Sequence, residues 1–242
     1  MALTLVAEYH YPVTEGTNPG DATTVALDKD DATWAANVAS GDLVLTFVGF
    51  RGSAGTVSVT TDGGQTWTEE FDTAPAASGT YALYRCIFNG TWNADPVFTT
   101  TGALDTPELW AVALRGFDAV SIWDVAPSAS EDHDTAFDLA DFSTNTDLAW
   151  AFVGAGCING DTATVDNSFV APSGSGNVYW RSGPTTIALC LARKEITSAG
   201  AVGATTFTLT ASRDGVKWNG AVKPAAEVPT LPLRVTTAPL RW

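Results

Sequence analysis

The residues of this chain that could do chemistry are two histidines, several acidic runs and three cysteines. His133 stands in SEDHDTAF beside Glu131, Asp132 and Asp134, a carboxylate–imidazole cluster of the kind that ligates a divalent cation. Adjacent residues of an extended chain point apart, however, and a solvated acidic loop is the commoner outcome for such a run. DKDDATW, from Asp28 to Trp34, lacks the glycine and the closing bidentate acid of an EF-hand loop. His10, in AEYHYP, is expected to pack or hydrogen-bond near an edge strand. Ser175 lies in the loop-like PSGSGN, and no G-x-S-x-G elbow occurs. Two histidines leave little material for a triad. A glycosidase pair of carboxylates, ~5–10 Å apart, is a tertiary property with no sequence spacing of its own. Cys86 and Cys190 fall in the apolar runs YALYRCIF and TTIALCLA, and with Cys157 they make an odd number without a CxxC spacing. They read as buried free thiols, not as zinc ligands. The expectation is a protein without a catalytic residue, a bound metal or a cofactor.

The elements that would position any site are strands. LVLTFVGF (from Leu43), TYALYRCIF (from Thr80), PVFTTT (from Pro96) and LWAVAL (from Leu109) are short, β-rich and bounded by Gly, Asp or Asn. No stretch of a dozen residues has the helical apolar period with caps, so any helix should be a turn or two. Nine Trp and 11 Phe against one Met suit pleated, half-buried surfaces. A hydrophobic share of 45% with 16% charge supplies a large core and excludes a disordered chain.

Four segments recur in one order. SGDLVLTFVGF (from Ser40) matches NTDLAWAFVGA (from Asn145), and YALYR (from Tyr81) matches IALCL (from Ile187). PVFTTTG (from Pro96) matches TTFTLTA (from Thr205), and ELWAVALRGF (from Glu108) matches VKWNGAVKPA (from Val216). A period near 107 residues is too long for a solenoid or a propeller blade and reads as a duplication. The expected fold is all-β: a jelly-roll-like sandwich over residues 1–225, built from halves 1–117 and 118–225 that face each other across a pseudo-twofold axis. Two consecutive sandwiches are the alternative. Residues 226–242 hold three of the four prolines of AVKPAAEVPTLPLRVTTAPLRW and form an extended arm, in which Leu231, Leu233, Leu240 and Trp242 are the candidate subunit-docking residues.

TTDGGQTW carries the Asp-box pattern of sialidases in Thr60, Asp62, Gly64, Thr66 and Trp67. Physically it is a hairpin signature: Asp62 caps amides across the turn, Gly63 and Gly64 take positive φ, and Trp67 covers the base. In those families the box recurs and is remote from catalysis, and here it occurs once, so it is read as structural. Trp34, Trp92, Trp123 and Trp180 fall at loops or strand ends, where an open ring could stack on a pyranose; core packing is the alternative.

A net charge of -15 repels a phosphate backbone and excludes nucleic acid as a partner. MALTLVAEYHYP has neither a basic n-region nor a sustained apolar core, and no apolar run approaches ~18 residues, so neither secretion by signal peptide nor membrane insertion is expected.

GDLVLTFVGF, GGQTW, YALYRCIF, ELWAVALRGFDA and TTFTLTASRDGVKWNGAVKPA together resemble a family of tailed-phage virion proteins. Its members have a Gly-Asp-Leu strand, a Gly-x-Thr-Trp hairpin and a Leu-Arg-Gly strand, then a second round. The likeness covers about residues 38–225, with Val222 and Lys223 at the second Leu-Arg position. It implies a structural protein on the virion exterior, on the tail or as a head decoration, made in the host cytoplasm. Its partners would be other virion proteins and further copies of itself, with host-surface glycan as an additional ligand. A carbohydrate-binding module or adhesin is the alternative function, and a sialidase-like glycosidase is the remotest.

Overall fold

Strands that are apolar on both faces dictate the architecture, because each face needs its own covering layer. The computed structural model describes residues 2–14, 19–52, 54–74, 79–102, 106–158, 162–174, 176–181 and 187–226. The first half runs β1 (Thr4–Tyr11), β2 (Thr24–Ala26), α1 (Ala32–Asn37), β3 (Leu43–Arg51), β4 (Val57–Thr61), β5 (Thr68–Thr73), β6 (Gly79–Ile87), β7 (Val97–Thr100) and β8 (Pro107–Arg115). The second runs β9 (Trp123–Asp132), β10 (Ala136–Leu139), β11 (Ser143–Thr144), β12 (Ala149–Ile158), β13 (Ala163–Val165), β14 (Tyr179–Arg181), β15 (Ile187–Ile196), β16 (Gly200–Ala201), β17 (Thr205–Leu209) and β18 (Gly215–Val222).

The halves repeat one topology. A five-stranded sheet β1-β8-β3-β6-β5 faces a three-stranded sheet β2-β7-β4. The second half has β9-β18-β12-β15-β14 facing β10-β17-β13, with the small ribbon β11-β16 added. Pairing the first strand with the eighth and the second with the seventh is the winding of a jelly roll. Each half is thus a sandwich with its own core, around Trp34, Val48, Tyr84 and Phe98 in one and Phe137, Val153, Cys190 and Phe207 in the other.

A third core joins them. The opposite faces of the two large sheets meet through Leu45, Phe47, Leu83, Trp110 and Val112 from one half and Phe152, Leu189, Leu191, Val216 and Trp218 from the other. The result is four layers, small-large-large-small. Each half is itself a sandwich, and the two meet through their large sheets. Trp218 meets Phe47 at 5.7 Å and Phe71 at 5.9 Å in edge and tilted contacts. The fully buried Glu108 accepts a hydrogen bond of 3.2 Å from the Leu189 amide across this layer.

Ladder register corrects the sequence matching. Val25–Phe98–Val59 across the first small sheet corresponds to Phe137–Phe207–Val165 across the second, as the Phe98/Phe207 match requires. With Trp110 matched to Trp218, Phe47 corresponds to Gly154 and not to Phe152, because these are the residues opposite each Trp. Leu83 likewise corresponds to Leu191, so Tyr81 falls on Leu189 and not on Ile187. Both matches slip by two residues, and a two-residue slip leaves every side chain on its own face.

The corrected register makes Gly49 and Gly156 equivalent, and both sit where the halves come closest. A Cβ on Gly49 would lie 2.5 Å from Ile187 Cδ1, and one on Gly156 would lie 2.3 Å from the Tyr81 ring. Each glycine therefore admits a side chain from the opposite half, as a twofold relation demands. Gly156→Ala should destabilise the protein by about 1–3 kcal/mol through overpacking. Trimming Tyr81 to Leu in the same chain should recover part of that loss. Urea denaturation of both variants measures it, and an unperturbed midpoint for Gly156→Ala would contradict this packing.

Candidate functional site

The Asp-box-like turn joins β4 to β5, but these strands belong to different sheets: β4 pairs with β7 and β5 with β6. The expected hairpin is therefore an arch that carries the chain from the small sheet to the large one. A buried side chain, not a ladder, holds it. Gln65 Nε2 donates to Thr91 O at 2.8 Å and to Asn89 Oδ1 at 3.1 Å, while Gln65 Oε1 accepts from Asn89 N at 2.9 Å. The motif residues play local parts. Asp62 Oδ1 accepts from Gly64 N at 2.7 Å, and Gly63 and Gly64 have φ of 66° and 82°. Trp67 Nε1 donates to Asp62 O at 2.9 Å while its ring meets Phe98 edge-on at 5.4 Å. The Thr60 hydroxyl pairs with that of Thr99 at 2.8 Å, and Thr66 faces solvent. Nothing in this turn converges on a ligand.

The four tryptophans do not form an open row. Trp34 is fully buried beneath α1, whose first turn is capped by Asp31 Oδ1 at 3.0 Å from both Thr33 N and Trp34 N. The last acid of DKDDATW, Asp31, thus caps a helix, while Asp28 accepts from Asp30 N and Asp30 pairs with Lys29. Trp92 stacks on Phe88 at 4.6 Å, and Trp123 packs against the core between the halves. Trp180 donates to Pro12 O at 2.9 Å and stacks on His10 at 4.0 Å. His10 is packed as expected, wedged between Trp180 and Trp110, with Nε2 3.3 Å from Glu8 Oε1. Every described Trp is buried or half-buried.

The acidic cluster around His133 is dispersed by the β9–β18 ladder. Asp132 pairs with Lys217 at 2.6 Å, His133 Nδ1 lies 2.9 Å from Asp214 Oδ1, and Asp134 Oδ1 accepts from Thr135 N at 2.6 Å. Among the described residues no three His, Cys, Asp or Glu groups converge as a cation site. Cys86, Cys157 and Cys190 are free and buried, and desolvation pushes the Cys86 thiol up, away from the reactive thiolate. Several basic side chains are tied into pairs as well: Arg115 with Asp42 at 2.8 Å, Lys223 with Asp118 at 3.1 Å, and Arg85 with Glu70.

Among the described residues, three surface clefts stand out. One of about 370 Å³ lies between β13 and the approach to β14, lined by Thr164, Phe169, Asn177 and Tyr179 among others. A second, about 350 Å³, lies between Lys29, Val38, Thr91 and Trp92. The third, about 420 Å³, is bounded by Asp118, Leu148 and the last described residues, Lys223 to Ala226. The arm residues Leu231, Leu233, Leu240 and Trp242 lie outside the described residues. Sequence reading missed Gln65 and all three clefts. A lone Gln between Gly and Thr has no periodic signature, and clefts arise from loops brought together in space.

Comparison of the chain with protein-family models, with curated proteins and with solved structures finds no match.

One group in the wall between the sheets of the first half makes a pH test. Asp72 Oδ2 accepts from Val57 N at 2.7 Å, while its Oδ1 is buried without a partner. Desolvation outweighs that bond and raises the carboxyl from 3.8 to about 6. The folded state therefore holds this proton more tightly than the unfolded state. The associated stability is present below pH 3.8 and is lost as pH rises through about 6. Asp72→Asn should raise stability at pH 7 by about 1–2 kcal/mol, discounted for its partial exposure, and flatten the pH 4–6 slope. Equal slopes for variant and parent in urea titrations would contradict the assignment.

Proposed function

We propose that this chain is a non-catalytic structural subunit on the exterior of a tailed-phage particle, on the tail or as a head decoration. It would be made in the host cytoplasm and assembled with further copies of itself and other virion proteins. The observation that carries the reading is the pair of jelly rolls locked face to face by a continuous apolar layer. That arrangement yields a rigid four-layer block whose reactive side chains are spent on caps, arches and ion pairs. Jelly rolls are a recurrent solution for shell and appendage proteins. The resemblance of the repeated segments to tailed-phage virion proteins supports it independently. A charge of -15 keeps such a block soluble until assembly.

Mass spectrometry of gradient-purified particles tests the proposal. The chain should be present in many copies, and its absence from particles while abundant in the lysate would overturn it. Deleting residues 226–242 should abolish incorporation and leave the melting temperature of the body unchanged. Undiminished incorporation would remove the arm from assembly.

A further inference from the structure

We propose that the second half carries a binding site for a neutral saccharide in the cleft between β13 and the segment leading into β14. The duplication supplies the first argument. In the first half the corresponding strands, β4 and β5, are bridged by the arch in which Trp67 closes on Phe98 and Gln65 is tied to Asn89 and Thr91. The second half keeps the strands but has no Trp at this place. A cleft of about 370 Å³ stands open there, within the size range of small-ligand sites.

Its rim is built at some cost. Asn167 and Ser168 are consecutive non-glycine residues with φ of 53° and 63°, a conformation that persists only where the surroundings enforce it. Here they do. The Asn167 amide donates to Val202 O and Ala204 O, both at 3.1 Å, and its oxygen accepts from Lys194 Nζ at 3.2 Å. The Asp166 carboxylate accepts from the Thr205 hydroxyl at 2.6 Å and from Thr206 N at 2.9 Å. This turn fixes Phe169, buried to 5% exposure, in the wall of the cleft.

The lining specifies the ligand class. None of the described residues lining the cleft is charged, in a protein of net charge -15, and the neighbouring Arg193 is turned to Pro172 O and the Trp150 ring. A divalent cation finds no carboxylate among these lining residues, and a carboxylated sugar or a phosphate no cation among them. What the cleft offers instead is an apolar wall of Phe169, Val170 and Val178 beside the half-buried ring of Tyr179. The Asn177 amide, the Thr164 hydroxyl and the Tyr179 hydroxyl have no partner among the described residues. A neutral pyranose presents a matching surface: a C–H face for the ring and the aliphatic wall, and hydroxyls that both donate and accept to an amide and two hydroxyls. The other clefts fit less well. Trp92 has one face already covered by Phe88, and the cleft at Lys223 is bounded by an Asp118–Lys223 ion pair.

The inference does not rest on the particle reading, because it is measured on the isolated full-length chain. A glycan array followed by calorimetric titration would use neutral hexose and N-acetylhexosamine oligosaccharides, with sialylated sugars and an extended peptide as comparisons. A neutral oligosaccharide should bind, and Asn177→Ala and Tyr179→Ala should each weaken it about tenfold or more at unchanged melting temperature. Thr91→Ala, in the other cleft, should bind as the parent does. Should Tyr179→Ala not fold, the exposed Asn177→Ala decides alone. No binding of any neutral glycan at about 10 mM, preference for the charged sugars or the peptide, or parental affinity in Asn177→Ala would each overturn the proposal.

Discussion

Everything in this molecule follows from two five-stranded sheets that must bury both faces. β3 alternates Leu43, Leu45 and Phe47 toward the other half with Val44, Val48 and Phe50 toward its own small sheet. β12 does the same with Trp150 and Phe152 against Ala151, Val153, Ala155 and Cys157. Neither large sheet could be exposed on the side it turns to the other without leaving Phe, Trp and Leu side chains in water, at a cost of about 1.5–3 kcal/mol for each of those side chains. The small sheets, α1 and the loops are what covering the remaining faces requires. The outer surface is then free to vary between the halves, and it does.

Approach between the halves is limited by bulk, and glycine sets the limit. Gly49 and Gly156 hold equivalent ladder positions, and a methyl group at either would collide with a side chain of the opposite half. Gly154 does a related task within its own sheet, where Trp218 lies over the place a Cβ would occupy. The large rings of this layer thus rest on backbone, and the sheets come together without voids large enough for water. The Tyr81 hydroxyl and the Trp123 and Trp218 ring nitrogens have no partner there, so the layer carries unsatisfied polar groups for the sake of the rings that fill it.

Much of this was legible before any coordinates. Runs such as LVLTFVGF and TTIALCLA announce strands covered on both sides, and the order of matched segments announces duplication. Register was not legible, because a two-residue slip changes no side chain's face and so leaves the apolar pattern intact. TTDGGQTW was read as a hairpin; Asp62 and the two glycines shape its turn locally, but the turn is an arch between two sheets. Its neighbours in space were invisible: whether β4 turns back on β5 or crosses to another sheet depends on their pairing with β7 and β6. Trp34 illustrates the same limit. Its place after an acidic run suggested a loop, yet Asp31 caps a short helix that turns the ring inward. The cleft beside Tyr179 had no sequence signal at all, since its residues matter only once β13 and β14 stand side by side.

The account stands on the two halves behaving as one cooperative body. Native-state hydrogen exchange followed across a denaturant series reads this directly. The amides of β3 and β12, central strands of different halves, should be the slowest to exchange and should converge on one global opening free energy with one denaturant dependence. Two separate isotherms, with β12 opening at markedly lower free energy than β3, would mean that the halves unfold independently and that the apolar layer between them does not hold the fold together.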